Sequence, residues 1–514
     1  MKKISHLTRT SLLLITLFAV DKGLAFLRQV IVTRQFKLSF EFDAFNAANN
    51  LPDLLFALIS GGAMGVAFIP VLTGFFSQGE REKAWNLFSR VANLVFLTTG
   101  LIAILIAIFA DQIVSSRIGI APGFSPQQRA LIADLMRLNL IATLIFSISG
   151  LVMGSLQANQ HFLLPALAPL MYNLGQIFGA LVLAPRQPYT FGPVTLPALG
   201  LGVHGLVYGV ILGAAFHLGI QIPGLFRYKF SWLPSVNFLD RDVIRVLALI
   251  GPRILTMFFI QLVFLARDNL ASRLGTEGAI SALTIGWMIM QVPETILGTA
   301  IAIAFLPTLS KYAARQDWAT FRQMVERPVR ILIALTLPIA IILSVGLRPL
   351  VQIVYGLDAQ SADLLTWTAR IYLLGLTGHS VLEVISRAFY ARKDALRPLA
   401  ASALNTAVFI VFGMLSVTFF SSWGAPGIAL IELAFTGEAL LLFFWLNRLL
   451  PEPVTAGSSL LRAVLGAAAG GLAAYGLMAV LPFSDPLSVL LALTAGSVLA
   501  LPFVWKEVSL LFRL

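Results

Sequence analysis

Cysteine is absent from all 514 residues, so a disulfide framework and a thiolate metal site are both excluded. Charge is scarce as well, since Asp, Glu, Lys and Arg make up only 12% of the chain. The five histidines, His6, His161, His204, His217 and His379, are scattered without ligand spacing. No nucleophile elbow, phosphate-binding P-loop or HExxH helix occurs, so neither an enzyme, a metal cofactor nor an ATP-driven pump is expected. Soluble segments are lacking too, and the longest expected outer loop, 185–197, is too short to make a domain.

What remains is apolar. Hydrophobic residues reach 58% and the mean hydropathy is +0.88, against roughly 45–50% apolar residues in soluble domains. An apolar run of about twenty residues spans a bilayer as a helix. Fourteen such segments are expected, near 11–36, 46–76, 86–110, 129–156, 162–184, 198–224, 246–269, 279–307, 329–354, 363–390, 397–420, 424–447, 460–481 and 485–510. A β-barrel would instead show alternation over about ten residues. The reading is an all-α polytopic membrane protein. Its first segment is long, charged and without a small-residue cleavage site, so it is expected to stay as the first span.

The formal charge of +12 does not mark a nucleic-acid reader, because the basic residues follow the loops rather than one soluble face. With the N-terminus placed inside, Lys2, Lys3, Arg9, Arg81, Lys83, Arg227, Lys229, Arg241, Arg245, Lys311 and most later loop cations fall on the inner side. Lys37, Arg117, Arg129, Arg186, Arg273 and Arg348 are left on the outer side. That bias predicts that both termini face the cytoplasm.

The chain also repeats itself. Asn50-Leu51-Pro52-Asp53 and Ala67-Phe68-Ile69-Pro70 are echoed by Gln291-Val292-Pro293-Glu294 and Ala304-Phe305-Leu306-Pro307. A third echo relates the stretch ending at Pro165 to the one ending at Pro398 at a similar spacing. Echoes in one order imply a parallel duplication, a common construction for transporters that hold substrate between two halves. The expected division is a six-helix lobe over 1–225, a cytoplasmic linker over 226–245, a second six-helix lobe over 246–450 and an added helix pair over 451–514. That pair is rich in Gly and Ala, as in Gly466-Ala467-Ala468-Ala469-Gly470-Gly471, which suits close helix packing. A dimer interface and an appended pair lining a groove both remain open readings of it.

Four ionisable residues, Asp21, Lys22, Arg28 and Arg34, interrupt the first apolar segment. Each charge at mid-bilayer costs about 2.5–3.5 kcal/mol on insertion scales, so several on one helix point to a wet, protein-lined cavity. Two readings apply: Asp21 neutralises Lys22 or Arg28 to fix packing, or the helix presents a basic surface to an anionic head group. The second segment opens with a polar ladder, Asp43 to Asp53, broken by Pro52 and followed by Gly61-Gly62. Pro52, its echo Pro293, and Gly61 and Gly62 are the expected kink or hinge positions. Further buried ionisable candidates are Asp134, Arg137, Arg253, Arg267, Asp268, Arg370, Glu383, Glu432 and Glu438, with snorkelling at the outer end of a helix an open second reading of Arg267 and Asp268.

These residues resemble the MurJ (MviN) family of lipid II flippases in the MOP exporter superfamily. The resemblance rests on Gly23-Leu24-Ala25-Phe26-Leu27-Arg28-Gln29-Val30-Ile31-Val32, Asp43-Ala44-Phe45, Asn50-Leu51-Pro52, Ala67-Phe68-Ile69-Pro70, Ala121-Pro122-Gly123-Phe124, Pro165-Ala166-Leu167-Ala168-Pro169 with Asn173, and Phe305-Leu306-Pro307-Thr308-Leu309-Ser310-Lys311. It implies two lobes around a cationic cavity and a terminal helix pair forming a groove for the lipid tail. It places basic cavity positions on Lys22 and Arg28 and an acidic position on Asp43. Where the family has arginines, this chain has Phe56, Ala57 and Met288, and an expected acid is Gln29. Arg253 is the candidate replacement. The implied activity is alternating-access transfer of a lipid-linked pyrophosphate, lipid II, across the bacterial inner membrane, with membrane lipids and cell-wall synthesis proteins as partners. The alternatives are export of another polyprenyl-linked glycan or amphiphile, or a non-transporting paralogue that acts as an envelope scaffold.

Overall fold

The computed structural model describes residues 6–59, 63–237, 240–419, 421–481 and 486–511. The chain forms two compact units, Met1–Asn269 and Leu270–Leu514. In the first unit the order is α1 (His6–Phe36), α2 (Phe40–Ile59), α3 (Ala63–Ser77), α4 (Arg81–Ile108), α5 (Ala110–Ser115), α6 (Pro126–Ala158) and α7 (Leu163–Phe178). A π-helical turn, Gly179–Leu183, a hairpin of β1 (Thr190–Phe191) and β2 (Val194–Thr195), and then α8 (Val203–Gly219), α9 (Ile222–Arg227) and α10 (Arg241–Ser272) complete it. The second unit comprises α11 (Ala279–Glu294), a π-helical turn Thr295–Thr299, α12 (Ala300–Ala314), α13 (Trp318–Tyr355), α14 (Ala359–Ala391) and α15 (Leu396–Phe419). A 3-10 turn follows, then α16 (Gly424–Ile431), α17 (Ala434–Leu449), α18 (Gly457–Val480) and α19 (Pro486–Leu511).

The helix ends carry their signals in the sequence. Ser125 and Gln128 form a reciprocal capping box around Pro126, which opens α6. Asp317 caps α13 and Asp358 caps α14, each accepting from a backbone N–H three residues on. Those bonds, to Thr320 and Ser361, favour the ionised carboxylates and hold both below the usual range. Between them, Gly356 ends α13 at φ 60°, a left-handed position that glycine adopts without strain.

Among the described residues, 11 helices are long and apolar enough to cross a membrane. The three remaining expected spans fall on α1, on α2 with α3, and on α14. All three carry embedded charges: Asp21, Lys22 and Arg28 on α1, Asp43 and Asp53 on α2, and Arg370, Glu383 and Arg387 on α14.

Each unit has its own apolar centre. In the first, Phe68, Leu72, Trp85, Phe88, Leu151 and Leu156 pack with Val243 and Val246. In the second, Phe305, Phe321, Phe389 and Leu442 are among the cluster. The segment expected as a connector does more than connect. It lies along α4, where Trp85 donates to Tyr228 O at 3.3 Å and Ser89 accepts from Leu233 N at 3.1 Å. Asn93 donates to Leu233 O and Ser235 O, and Arg90 pairs with Asp240.

The Gly/Ala face of α18 is consumed inside the second unit. A Cβ on Gly470 would stand 2.6 Å from Gly496 O, and one on Gly496 would meet Gly470 O at the same distance. Only glycine permits that approach, so this stripe joins α18 to α19. At one end of the pair, Glu507 accepts from Ser459 at 2.8 Å and pairs with Arg462 and with Arg330 of α13.

Candidate functional site

The charged residues of α1 meet α7. Asn173 of α7 is buried and its amide bridges two α1 side chains, donating to Asp21 Oδ1 at 2.8 Å and accepting from Arg28 Nη1 at 3.3 Å. Its second donation, to Pro169 O at 3.3 Å, is to the carbonyl of its own helix beside a proline. Lys22 Nζ stands 3.9 Å from Asp21 Oδ2, yet its side chain is 76% exposed. Asp21 is buried and tethers the helix, while Lys22 is presented outward. Arg28 interacts electrostatically with Asp21, with Tyr172 and with Asp53 on the exposed face of α2.

Asp43 is placed differently. It is 1% exposed in the first turn of α2, where its charge suits the helix dipole, and none of the contacts of Arg28 reaches it. Pro52 is buried inside α2. Pro293 lies inside α11, immediately before the π-helical turn Thr295–Thr299, where the backbone register slips. Gly61 and Gly62, and the side chain of Arg253 on α10, lie outside the described residues.

Phe56, at a position where the resemblance places an arginine, packs edge-on against Phe146 at 5.1 Å. Phe146 packs in turn against Tyr172 at 5.1 Å. An aromatic wall thus flanks Asp53, Arg28 faces two carboxylates, Asp21 and Asp53, and Lys22 stands beside Asp21. Asp53, Tyr172 and Asn173 were not assigned roles from the sequence. The signal for Asp53 was the echo itself, because Glu294 follows Pro293 as Asp53 follows Pro52. In the second unit that acid is instead buried and accepts from Thr299 at 3.1 Å and Thr295 at 3.4 Å.

The rest of the α2 ladder is structural. Asn49 accepts from Asn139 of α6 at 2.6 Å, and Asn50 donates to Asp268 of α10 at 2.7 Å. Arg267 and Asp268 do not snorkel: they are 5% and 1% exposed and pair at 2.9 Å, with Arg267 also over the Phe264 ring. Burial is sustainable because the pair is neutral and Asn50 fills the second carboxylate oxygen. Asp134 and Arg137 were expected to be buried, but Arg137 forms partly exposed pairs with Asp134 and Asp111. No cluster of metal-ligating side chains occurs among the described residues.

The profile of the family described as lipid II flippase MurJ matches residues 35–499, most of the chain. The chain belongs to the lipid II flippase MurJ family. Its relatives include the lipid II flippase MurJ of Burkholderia cenocepacia, 28% identical over 84% of this chain and 82% of that protein. A probable lipid II flippase MurJ of Thermotoga maritima is 27% identical over 81% of this chain and 80% of its own length. Among solved structures, a MurJ in an inward closed conformation superposes with a TM-score of 0.77 at 19% identity, covering 98% of this chain and 99% of the other. An inward-facing multidrug resistance MATE transporter of the MOP superfamily gives 0.70 at 15% identity, over 84% and 94%. The MurJ fold and the wider MOP architecture are therefore both present, and the protein is a multi-pass membrane transporter by family.

Proposed function

We propose that the protein moves lipid II from the cytoplasmic to the outer leaflet of the bacterial inner membrane by alternating access. The observation that carries this is the α1–α7 site, where Asn173, bonded to Asp21, holds Arg28 while Lys22 stays exposed. A diphosphate suits it because charge-assisted hydrogen bonds replace a hydration shell. Lys22 and Arg28 contact the diphosphate, and Arg253 adds a cation from α10. Asp43 acts through the start of α2. Pro52, Gly61, Gly62 and Pro293 let the helices bend during the exchange.

The membrane arrangement belongs to the same proposal. Fourteen spans, with α1, α2–α3 and α14 among them, leave both termini cytoplasmic. The lobes run over 1–225 and 246–450, joined by 226–245, with 451–514 as the added pair, and cell-wall synthesis proteins are the partners. Family membership and the MurJ relatives favour lipid II over another polyprenyl-linked glycan or an envelope scaffold. No bond of the substrate is broken in this scheme.

The test is complementation of a strain depleted of its own flippase. The wild-type chain should restore growth and prevent lipid II from accumulating in the inner leaflet, and Arg28→Ala should not. Accumulation of a different lipid-linked precursor on depletion of this protein would assign another substrate.

A further inference from the structure

The second unit holds a cavity unrelated to the α1–α7 site. It has a volume of about 530 Å³ and lies where α13, α14 and α18 converge, lined by Val345, Arg348, Gln352, Arg370, Tyr475 and Met478, among others. Its charge is unbalanced. Arg348 is bound in a fork to Asp363, through Nε at 2.6 Å and Nη2 at 3.3 Å. Arg370 has no carboxylate of its own: its Nε donates to Ser344 O at 2.9 Å and its guanidinium lies 5.0 Å from the Trp367 ring centroid. Among the described residues, its two terminal nitrogens make no hydrogen bond.

The other end of the same helices shows the contrast. There Arg322, Arg330 and Arg462 are matched by Glu326, Glu452 and Glu507. At the cavity end Asp363 pairs with Arg348 and Asp358 is engaged in capping α14, so the Arg370 guanidinium stands beside apolar walls without an ion pair among the described residues.

The depth of the cavity is also marked. It lies close to where α13 ends and α14 begins, and near the last turn of α18. Trp367 and Tyr475 flank it at 57% and 67% exposure, and such amphipathic aromatics settle at the level of lipid head groups. A surplus guanidinium at that level, above Val345 and Met478, is complementary to a phosphate carrying an acyl chain.

We propose that this cavity binds an anionic phospholipid of the bilayer, its phosphate on Arg370 and Arg348 and an acyl chain along Val345 and Met478. The Gln352 amide meets the polar head. The lipid ties α18 to the turn between α13 and α14 and is not the transported substrate, so the inference stands apart from the transport reading.

The experiment uses full-length protein, purified and stripped of lipid in detergent. Binding of dioctanoyl phosphatidylglycerol is measured by native mass spectrometry and thermal shift, with dioctanoyl phosphatidylcholine as control. Phosphatidylglycerol should bind and raise the melting temperature more than phosphatidylcholine does. The double variant Arg348→Gln, Arg370→Gln should weaken its binding about tenfold or more, the scale of a lost charged hydrogen bond. Ala479→Phe, which fills the cavity rim and keeps both arginines, should weaken it as well and covers the case in which the double variant folds poorly. Unchanged binding in either folded variant, or equal binding of the two lipids, overturns the proposal. Displacement of phosphatidylglycerol by geranylgeranyl diphosphate at lower concentration also overturns it, by giving the cavity to the substrate path.

Discussion

Asn50 donates to Asp268 at 2.7 Å, joining the Asn-Leu-Pro stretch of α2 to the buried Arg267–Asp268 pair of α10. Without that donor a buried carboxylate oxygen loses a charge-assisted partner. Asn50→Ala should therefore lower the stability of the purified protein by roughly 1.5–3 kcal/mol, and Asp268→Ala by about 3–5 kcal/mol because buried Arg267 would lose the carboxylate that pairs with it. Thermal unfolding in detergent should rank wild type above Asn50→Ala and Asn50→Ala above Asp268→Ala. Equal midpoints would mean that water replaces the bond.

Topology can be checked in a chain with no native thiol. With both termini inside, a single cysteine in 77–80 should resist an impermeant thiol reagent in intact cells, and one in 187–192 should react. The reverse pattern would invert every side assignment drawn from the lysines and arginines.

Much of the fold was legible because bilayer solvation acts on whole segments. Among the described residues the expected apolar runs fall largely on helix, 11 helices are long and apolar enough to cross a membrane, and Gly470 packs closely as its composition implied. Individual charges were harder to place. Arg267 and Asp268 fit both burial and snorkelling at a helix end from the sequence, and the Asn50 donor that helps sustain burial lies 218 positions away. Asp134 and Arg137 look buried by hydropathy, but Asp111 on a separate short helix draws Arg137 to the surface. On α1 the charges Asp21, Lys22 and Arg28 stand out in the apolar run by themselves. Asn173 does not, since its role depends on which face of α7 meets α1.

That role gives a third prediction. Among the described residues, Asn173 is the hydrogen-bond partner of the Arg28 guanidinium, and it also holds Asp21. Asn173→Leu should leave Arg28 charged but unpositioned, so complementation should fail nearly as fully as in Arg28→Ala. Asn173→Asp should lose function too, by placing a carboxylate against Asp21. Membrane abundance measured alongside separates positioning from folding: a fall in abundance that matches the loss of function would make Asn173 a packing residue.

The last prediction concerns Asp53. It lies on the exposed face of α2 and within electrostatic reach of Arg28, so in its ionised form it opposes a diphosphate at the same place. Two unit charges some 8 Å apart interact by about 2 kcal/mol at an effective dielectric constant of about 20. Removing one negative charge should then strengthen diphosphate binding by roughly thirtyfold. Asp53→Asn keeps the size and polarity of the side chain, so packing against the Phe56, Phe146 and Tyr172 wall should be preserved. Titration of the purified protein with a lipid-linked pyrophosphate should show tighter binding in Asp53→Asn and weaker binding in Arg28→Ala. If Asp53→Asn binds as wild type does, Arg28 and the diphosphate do not share the face that Asp53 occupies, and the binding role would pass to Lys22 and the cation on α10.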